Sequence, residues 1–347
     1  MIDKNKYQRI LVTGAAGFMG SHLVDYLEAL GCNVYGIDDL SGGYLRNVTN
    51  QSKFTKLDLR DRTVVKDYIE KLKPDLIYHL AADATEGRSF FTPLECTDRN
   101  YQAFLNLLIP AIKNGLKKFV LTSSMAVYGR QEPPFTEDLD TMPEDIYGIS
   151  KAAMEKALKV MSEVHNFEYT VVRPHNVYGP RQNKADPYRN VLGIFINRLL
   201  KGEPFYIYGD GLQKRSFTFI EDCTPPMALS GFADHLHGEI INVGPEREVT
   251  VKEAAELILN EFFSSEEERD KFKPIHLPER PNEVRNAYSS YQKAKQLLNY
   301  EPLTDLEKGI REMIKWAKEI GWEQPVYLEA LELENDSTPK TWKEKLI

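Results

Sequence analysis

Short apolar runs alternate with longer segments of helical periodicity over the first two-thirds of the chain. The apolar runs, typical of buried strands, lie at 9–13, 33–37, 53–57, 75–80, 117–122 and 168–173. Helical patterns lie between them at 21–30, 62–72, 98–114 and 146–165. Strands that alternate with helices pair in parallel, and parallel sheets are covered on both faces. The pattern therefore predicts an α/β fold with a doubly wound parallel sheet.

The texture of the chain changes after Arg173, where proline, glycine and aromatic residues become frequent. This change predicts a smaller, loop-rich lobe on the carboxyl ends of the strands, where ligands of such sheets bind. We assign 1–175 to the sheet domain, to which the chain returns around 216–245. Residues 176–330 form mainly the lobe. Because ligands bind at this end of the sheet, we expect this C-terminal lobe to bind the substrate.

Two helices and a tail are predicted in the last third of the chain. Residues 250–263 form a helix that opens with a capping box from Thr250 to Glu253. A second helix covers about 304–319. Residues 331–347 are polar, and we expect them to form a loosely docked or mobile tail.

The turn after the first strand carries three glycines in the spacing GxxGxxG. Gly14 permits the sharp turn, Gly17 lets backbone N–H groups approach a pyrophosphate, and Gly20 lets the following helix lie close to the sheet. The helix N-terminus adds partial positive charge. Asp38, which ends the second strand, is placed to accept hydrogen bonds from a ribose diol and would repel a 2′-phosphate. The segment predicts a Rossmann dinucleotide site that favours NAD over NADP.

Composition and charge narrow the class of protein. The chain has 347 residues, 42% hydrophobic and 28% charged, which is enough for one large α/β domain and a lobe. Its net charge of −8 and the lack of a basic, aromatic-rich stretch argue against a nucleic-acid partner. Cys32, Cys96 and Cys223 lack metal-ligand spacing, so we expect no metal and a reducing cytoplasmic location. No apolar run is long enough for a membrane span, and we expect no membrane partner.

A tyrosine and a lysine mark the second chemical signal. Tyr147 and Lys151 share one face of the predicted helix 146–165. A free tyrosine titrates near pH ~10, but a nearby ammonium and an NAD⁺ ring would lower its pKa, so that a phenolate can deprotonate an alcohol. Ser123 and Ser124 end a strand at the edge where the ligand crevice opens. The pattern predicts a catalytic group of Ser124, Tyr147 and Lys151.

Together these motifs resemble extended short-chain dehydrogenases/reductases, in particular the NAD-dependent nucleotide-sugar epimerase/dehydratase family that includes UDP-glucose 4-epimerases. The similarity covers roughly residues 8–325. It rests on the segments and residues 13–20, Asp38, 57–59, 79–82, Asn100, 123–124, 127–129, Tyr147, Lys151, 173–180, 209–211 and 214–215. The resemblance implies NAD as cofactor, a nucleotide-sugar substrate and a homodimer built through the helices near 98–114 and 146–165.

The resemblance also implies roles for individual residues. Candidate cofactor contacts are Gly14, Gly17, Phe18, Met19, Gly20, Asp38, Asp39, Asp58, Leu59, Leu80, Ala81, Ala82, Asn100, Tyr147, Lys151 and Pro174. Candidate substrate contacts are Ser123, Ser124, Asn176, Arg181, Tyr206, Tyr208, Arg215 and Arg280. Arg215 and Arg280 would hold the diphosphate, because guanidinium pairs bidentately with phosphate oxygens. Tyr206 and Tyr208 flank the strand that faces the nucleotide base in this family.

Two residues after Ser124 narrow the reaction. Sugar 4,6-dehydratases of the family carry an Asp-Glu pair where this chain has Met125 and Ala126. The cysteine of 3,5-epimerases and the glutamate of UDP-glucuronate decarboxylases are likewise missing at Ala126. The resemblance therefore favours 4-epimerisation, most simply of UDP-glucose and UDP-galactose, through a transient 4-keto sugar.

Alternative functions remain open from the sequence. One is a UDP-glucuronate or UDP-N-acetylhexosamine 4-epimerase, in which Arg181 would meet a substrate carboxylate. Another is a net NAD-dependent nucleotide-sugar oxidoreductase that releases NADH in each cycle. A third is a non-catalytic NAD sensor, which the intact Ser124, Tyr147 and Lys151 disfavour.

Overall fold

The computed structural model describes residues 2–279 and 285–347. The strands in these residues are β1 (Ile10–Thr13), β2 (Val34–Asp38), β3 (Phe54–Lys56), β4 (Leu76–His79), β5 (Lys118–Thr122), β6 (Glu168–Pro174), β7 (Val177–Tyr178), β8 (Tyr206–Tyr208), β9 (Lys214–Arg215), β10 (Thr218–Phe219), β11 (Ile240–Val243), β12 (Val249–Thr250), β13 (Ile275–Leu277) and β14 (Asn286–Ala287).

The α-helices are α1 (Phe18–Ala29), α2 (Arg62–Leu72), α3 (Glu86–Ser89), α4 (Pro93–Thr97), α5 (Ala103–Lys113), α6 (Ile146–His165), α7 (Val191–Lys201), α8 (Ile220–Phe232), α9 (Val251–Phe262), α10 (Glu266–Lys271), α11 (Gln292–Leu298), α12 (Leu306–Ile320) and α13 (Lys340–Lys343). Short 3-10 turns lie at Leu45–Asn47, Gln51–Lys53, Met125–Tyr128 and Asp234–Leu236, and a π-type segment at Asp98–Gln102 joins α4 to α5.

The largest sheet has seven strands in the order β11-β6-β5-β4-β1-β2-β3. Every neighbouring pair in it is parallel, which confirms the predicted doubly wound parallel sheet. The strand order changes direction between β1 and β4, which lie side by side. Ligands of open parallel sheets bind beyond the carboxyl ends of the strands at such a switch point. The topology therefore places the functional cleft above Thr13 and His79.

Helices cover both faces of this sheet. On one face, Leu23 of α1 and Met227 of α8 pack on β1 and β11. On the other face, Val65 of α2, Phe104 of α5 and Leu158 of α6 form a second apolar layer. All four residues of β1 are buried, as expected for a strand with helices on both sides.

The lobe has a separate core above the carboxyl ends of the strands. Helices α7, α9 and α12 contribute Phe195, Ile258 and Ile310, which pack with Phe205 and Phe219. Smaller sheets pair β7 with β10, β8 with β13, and β9 with β12 and β14. The boundaries that we placed at residues 175 and 330 stay a prediction.

Two expectations about helix bounds need correction. Helix α1 begins at Phe18, three residues before the expected start, because Gly17 is its extended N-cap. The helix expected at 98–114 is preceded by α4 and begins with the π-type segment. No helix among the described residues is long and apolar enough to cross a membrane.

The expectation of a loosely docked tail was wrong. Trp342 is 5% exposed and packs against Phe91 and Tyr188. Thr338 and Thr341 are also buried. The prediction rested on the polar composition of the tail and did not take account of Trp342, whose large apolar ring anchors it.

Candidate active site

One continuous cleft of about 670 Å³ runs between the sheet and the lobe. Gly14, with φ +70°, forms its floor, where a Cβ would come within 2.9 Å of the Ala81 nitrogen. A Cβ on Gly20 would lie 2.0 Å from the Gly14 carbonyl oxygen. Phe18 and Met19 begin α1 and also line the cleft. The backbone and the open helix N-terminus thus form a cradle that fits a pyrophosphate.

Two acidic residues lie at this end of the cleft, Asp38 as the last residue of β2 and Asp39 directly after it. Asp38 accepts hydrogen bonds from the Ala16 N–H at 3.1 Å and the Leu40 N–H at 2.7 Å. Burial raises the pKa of its carboxyl group. Asp39 pairs with Arg99 at 2.9 Å and lines the cleft beside it. The carboxylate of Asp38 is therefore held in place by the same glycine turn that forms the cradle.

The candidate adenine contacts lie farther along the same wall. The side chain of Asp58 pairs with Arg60 at 2.7 Å, and this guanidinium lowers the pKa of the carboxyl group. Leu59 is buried and lines the cleft. Leu80, Ala81 and Ala82 continue the wall beyond β4.

Asn100, one of the expected cofactor contacts, is enclosed by the chain itself. Asn100 is fully buried in the π-type segment, and its amide donates to the carbonyl oxygens of Asp83 at 3.1 Å and Cys96 at 2.8 Å. It is not among the residues that line the cleft. The amide group of Asn100 thus holds the backbone that follows Ala82, and its contact with the cofactor stays a prediction.

The serine, tyrosine and lysine come together in the middle of the cleft. The Ser124 hydroxyl caps the 3-10 turn by accepting from the Ala126 N–H at 3.1 Å, and it also bonds the Tyr147 hydroxyl. Lys151 donates to the Thr122 carbonyl oxygen at 2.8 Å, with its nitrogen 5.7 Å from the Tyr147 ring centre. Asp145 caps α6 through the Gly148 N–H, which orients the first turn of the helix.

Burial shifts both proton-carrying groups toward their neutral forms. Burial raises the pKa of Tyr147, and the Ser124 hydroxyl partly opposes this shift. Burial also lowers the pKa of Lys151 to about 8, although Glu155 favours its charged form. Both shifts favour the neutral phenol and the neutral amine.

Ser123 has a different role from the expected substrate contact. Its hydroxyl donates to Glu155, which forms a bidentate pair with Arg173 at 2.9 and 2.6 Å. Glu155 and Arg173 are 6% and 1% exposed. Although Ser123 borders the cleft, its hydroxyl points into this buried ion pair below the site.

The expected substrate contacts gather at the far end of the cleft. Pro174, Asn176, Tyr206, Tyr208 and Arg215 all line it. The Asn176 amide donates to the Ser216 carbonyl oxygen at 2.9 Å, which joins the turn after β6 to the turn between β9 and β10. Arg280, the second predicted diphosphate contact, lies outside the described residues.

Arg181 does not face the cleft. It has φ +69°, and its guanidinium pairs with Asp25 of α1 at 2.7 Å. Arg189 of the same loop does line the cleft, where Asp186 accepts from its Nε at 2.8 Å. The two arginines of one polar loop therefore lie on opposite sides, Arg181 against α1 and Arg189 at the cleft.

An acid beside the tyrosine was not predicted from the sequence. Glu86, the first residue of α3, lines the cleft near Tyr147, Asp145 and Arg215. Desolvation and the charge of Asp145 raise the pKa of the Glu86 carboxyl group, whereas Arg215 lowers it. The only sequence signal was an acid in the loop that follows β4 at the switch point.

Comparisons with known proteins agree with this geometry. Residues 10–244 match the family described as the NAD dependent epimerase/dehydratase family. The putative UDP-glucose 4-epimerase of Methanocaldococcus jannaschii is 34% identical over 317 residues, covering 89% of this chain and 98% of that protein. The UDP-N-acetyl-alpha-D-glucosaminuronate decarboxylase of Bacillus cytotoxicus is 31% identical, covering 90% of this chain and 98% of that protein.

A solved structure of a relative has the same fold. The UDP-glucuronic acid 4-epimerase from Bacillus cereus, in complex with UDP-glucuronic acid and NAD, superposes with a TM-score of 0.81. It is 28% identical and covers 90% of this chain and 99% of its own. The relatives thus include both epimerases and a decarboxylase.

Proposed function

Because the chain belongs to the NAD-dependent epimerase/dehydratase family, we propose that it is a nucleotide-sugar 4-epimerase. The proposed substrates are UDP-glucose and UDP-galactose, which interconvert through a transient 4-keto sugar. The observation that carries the proposal is the Ser124–Tyr147–Lys151 group with Met125 and Ala126 beside it. These two neighbours carry no group that exchanges protons, so the set is suited to reversible chemistry at one carbon.

The cofactor is NAD, and the residues present fit it. Gly14, Gly17 and Gly20 would hold the pyrophosphate, and Asp38 the adenosine ribose. Lys151 would bind the nicotinamide ribose, and Pro174 would lie against the nicotinamide. Bound NAD supplies the capacity to take up and return a hydride at the sugar C4.

The protein supplies proton transfer and orientation. Tyr147 Oη takes the proton of the 4-hydroxyl group in one half-reaction and returns it in the other. Ser124 Oγ holds the same substrate oxygen, and Lys151 stabilises the ionised phenol. Arg215 anchors the diphosphate so that the keto sugar can turn and present its other face. Since the cycle has no net redox change, we propose that NAD stays bound throughout.

A nucleotide uronate is the second candidate substrate. Arg189 lines the cleft, and its positive charge acts to lower the pKa of Tyr147. A guanidinium at this point can pair with a carboxylate at C6 of the sugar, the role first assigned to Arg181. Glu86 opposes this alternative, because its carboxylate would repel an anionic sugar.

Proton NMR of the purified protein with UDP-galactose and no added cofactor tests the proposal. Appearance of the UDP-glucose anomeric signal is the expected result. UDP-glucuronate and UDP-N-acetylglucosamine, incubated in parallel, test the alternatives. Formation of a pentose product from UDP-glucuronate would instead indicate decarboxylation, and no conversion in any sample would contradict 4-epimerisation.

We also propose that the protein is a cytoplasmic homodimer. Ile149, Val160 and Val164 of α6 are 49%, 57% and 70% exposed, which is unusual for apolar residues on one helix. The resemblance placed the dimer contact on the helices near 98–114 and 146–165. Of their apolar residues, Phe104, Leu108, Met154 and Leu158 are buried within the chain's own core, and Leu105 is partly buried against it. The three cysteines are buried and free, in keeping with a reducing compartment.

A further inference from the structure

The chain after α12 returns to the cleft instead of ending on the lobe. We define the C-terminal segment as residues 326–347. The hydroxyl of Tyr188 and the backbone of Leu328 meet at 2.9 Å at its start, and the Leu333 N–H bonds the Phe91 carbonyl oxygen at 3.1 Å. The family match ends at residue 244, so the segment lies outside it.

The C-terminal segment is anchored by one tryptophan. Trp342 of α13 meets the rings of Tyr188 and Phe91 edge to face, with centres 5.2 and 6.0 Å away. Its indole N–H donates to the Pro187 carbonyl oxygen at 3.0 Å. A buried indole with its N–H satisfied is a strong anchor, because it combines a large apolar area with a directional bond.

Polar contacts tie the segment to both walls of the cleft. The carboxylate of Glu332 accepts from the Leu94 and Glu95 N–H groups, each at 2.8 Å, and so caps α4 on the sheet side. Arg198 of the lobe donates to the Leu346 carbonyl oxygen at 2.7 Å. The segment therefore bridges the two walls that enclose the substrate half of the cleft.

Part of the segment faces the cleft itself. Leu328, Thr341 and Ile347 are among its lining residues. The hydroxyl groups of Thr341 and Tyr208 lie 2.7 Å apart, and the Thr341 N–H also reaches the Tyr208 oxygen at 3.4 Å. Tyr208 is one of the two tyrosines assigned to the nucleotide base, so the segment fixes the position of a substrate contact.

We propose that the C-terminal segment is a wall of the nucleotide-sugar site, and that Thr341 positions the Tyr208 ring against the nucleoside. The proposal rests on the proposed function, because it takes the far half of the cleft as the nucleoside-diphosphate site. Trp342 holds the wall in place, and Thr341 is a positioning residue that acts through Tyr208. Thr341 itself contacts Tyr208, in the substrate half of the cleft.

Two substitutions separate anchoring from positioning. Thr341→Val removes the hydroxyl group and keeps nearly the same shape. Because one hydrogen bond to Tyr208 is lost, we expect about a 3- to 10-fold weaker affinity for a nucleoside diphosphate. Trp342→Ala should weaken it by about 10-fold or more, and Trp342→Phe should recover much of the loss. Lys343→Ala, an exposed neighbour on α13, is the matched control.

Calorimetric titration of each purified full-length variant with UDP, dTDP, GDP, CDP and ADP gives the dissociation constants. Retained NAD and melting temperature are measured on the same samples. The proposal requires weaker nucleotide binding and a higher KM in Thr341→Val, with NAD content and kcat near those of the original chain. Unchanged nucleotide affinity in Thr341→Val would overturn the positioning role, and unchanged affinity in both Trp342→Ala and Thr341→Val would overturn the wall.

The original chain distinguishes this inference from the proposed function. If it binds another nucleoside diphosphate but not UDP, the assignment of uridine is wrong and the variants are compared on the nucleotide that binds. If it binds none of the five, the proposed function and the inference are both overturned. If Trp342→Ala fails to fold, Thr341→Val alone decides.

Discussion

Burial shifts the pKa values of the neighbouring residues Tyr147 and Lys151 in opposite directions. Burial raises the pKa of the phenol and lowers that of the ammonium to about 8. Glu86 raises the pKa of Tyr147 further. Positive charge brought into the cleft by NAD⁺ would favour the phenolate, so the proposed base would become active when the cofactor is in place.

Replacing Tyr147 by phenylalanine removes the base and leaves the cradle of Gly14 and Gly20 intact. We expect Tyr147→Phe to lower kcat by at least about 10²- to 10³-fold, the usual contribution of a general base. Bound NAD, measured by its release on denaturation, should be unchanged. Tyr26→Phe on α1 is the control, and near-original turnover of Tyr147→Phe would contradict the assignment.

A second residue-scale feature is a neutral histidine under the cleft. Thr13 Oγ1 accepts from the N–H groups of Leu80 and Ala81, each at 3.1 Å, so it donates its own proton to His79 Nδ1 at 2.9 Å. His79 is fully buried, and burial together with Lys151 lowers its pKa to about 3. Protonation would break this bond and place two positive charges together.

His79 therefore makes stability depend on pH. Its pKa is lower in the folded protein than in the unfolded chain, so its contribution is fully present above about pH 6.5 and is lost as the pH falls toward 3. Between pH 7.5 and 5 we expect this residue to remove about 2 kcal/mol of unfolding free energy. Denaturant titrations should show a flatter dependence for His79→Asn. The exposed His165→Gln serves as control, and parallel curves for His79→Asn and the original chain would refute the argument.

At the scale of elements, a loop from the lobe closes over the cofactor half of the cleft. The Tyr44 hydroxyl donates to Asn183 Oδ1 at 2.8 Å, and Asn183 Nδ2 donates to the Gly42 carbonyl oxygen at 3.3 Å. Glu323 pairs with Arg46 at 2.7 Å and also with Lys184. These contacts join the loop after β2 to the loop before α7.

Glu323→Gln should weaken this closure. The substitution keeps the shape but removes the charge that pairs with Arg46 and Lys184, so we expect NAD to dissociate several-fold to about 10-fold faster. Exchange of bound NAD against a labelled pool measures the rate. Glu319→Gln, exposed on α12, is the control. An unchanged exchange rate in Glu323→Gln would show that closure does not retain the cofactor.

The elements themselves were largely predictable, because their information is local. Apolar runs such as 117–122 and the alternation with helices predicted the parallel sheet. Capping boxes can also be seen in sequence, and Thr250 does cap α9 through Glu253. Boundaries moved where tertiary contacts decide them, as at the π-type segment that buries Asn100.

The site was predictable only where a motif carries the geometry. The glycine turn and the Tyr147–Lys151 spacing specify positions within single elements. The ion pair of Arg181 with Asp25 joins segments that are far apart in the chain, so no local sequence pattern predicts it. The same holds for Glu86, which reaches Tyr147 only through the fold, and for Trp342.

At the scale of the whole molecule, the proposed dimer makes its own prediction. Val160→Glu places a charge on the exposed apolar face of α6, which should dissociate a dimer built on that face. Light scattering after size-exclusion chromatography measures the mass. Val64→Glu, on a similarly exposed valine of α2, should stay dimeric. A monomeric original chain, or a dimeric Val160→Glu, would contradict the proposal.

The central claim is that oxidation and reduction occur at C4 of one substrate molecule within one closed site. The direct test uses the nucleotide sugar that the protein converts. One half of the sample carries deuterium at C4, and the other half carries ¹³C and ordinary hydrogen at C4. The account predicts that nearly all deuterium remains at C4 of the epimer and none reaches the ¹³C-labelled molecules. Deuterium in solvent or in the ¹³C product, or a stable ketone formed with free NADH, would contradict it.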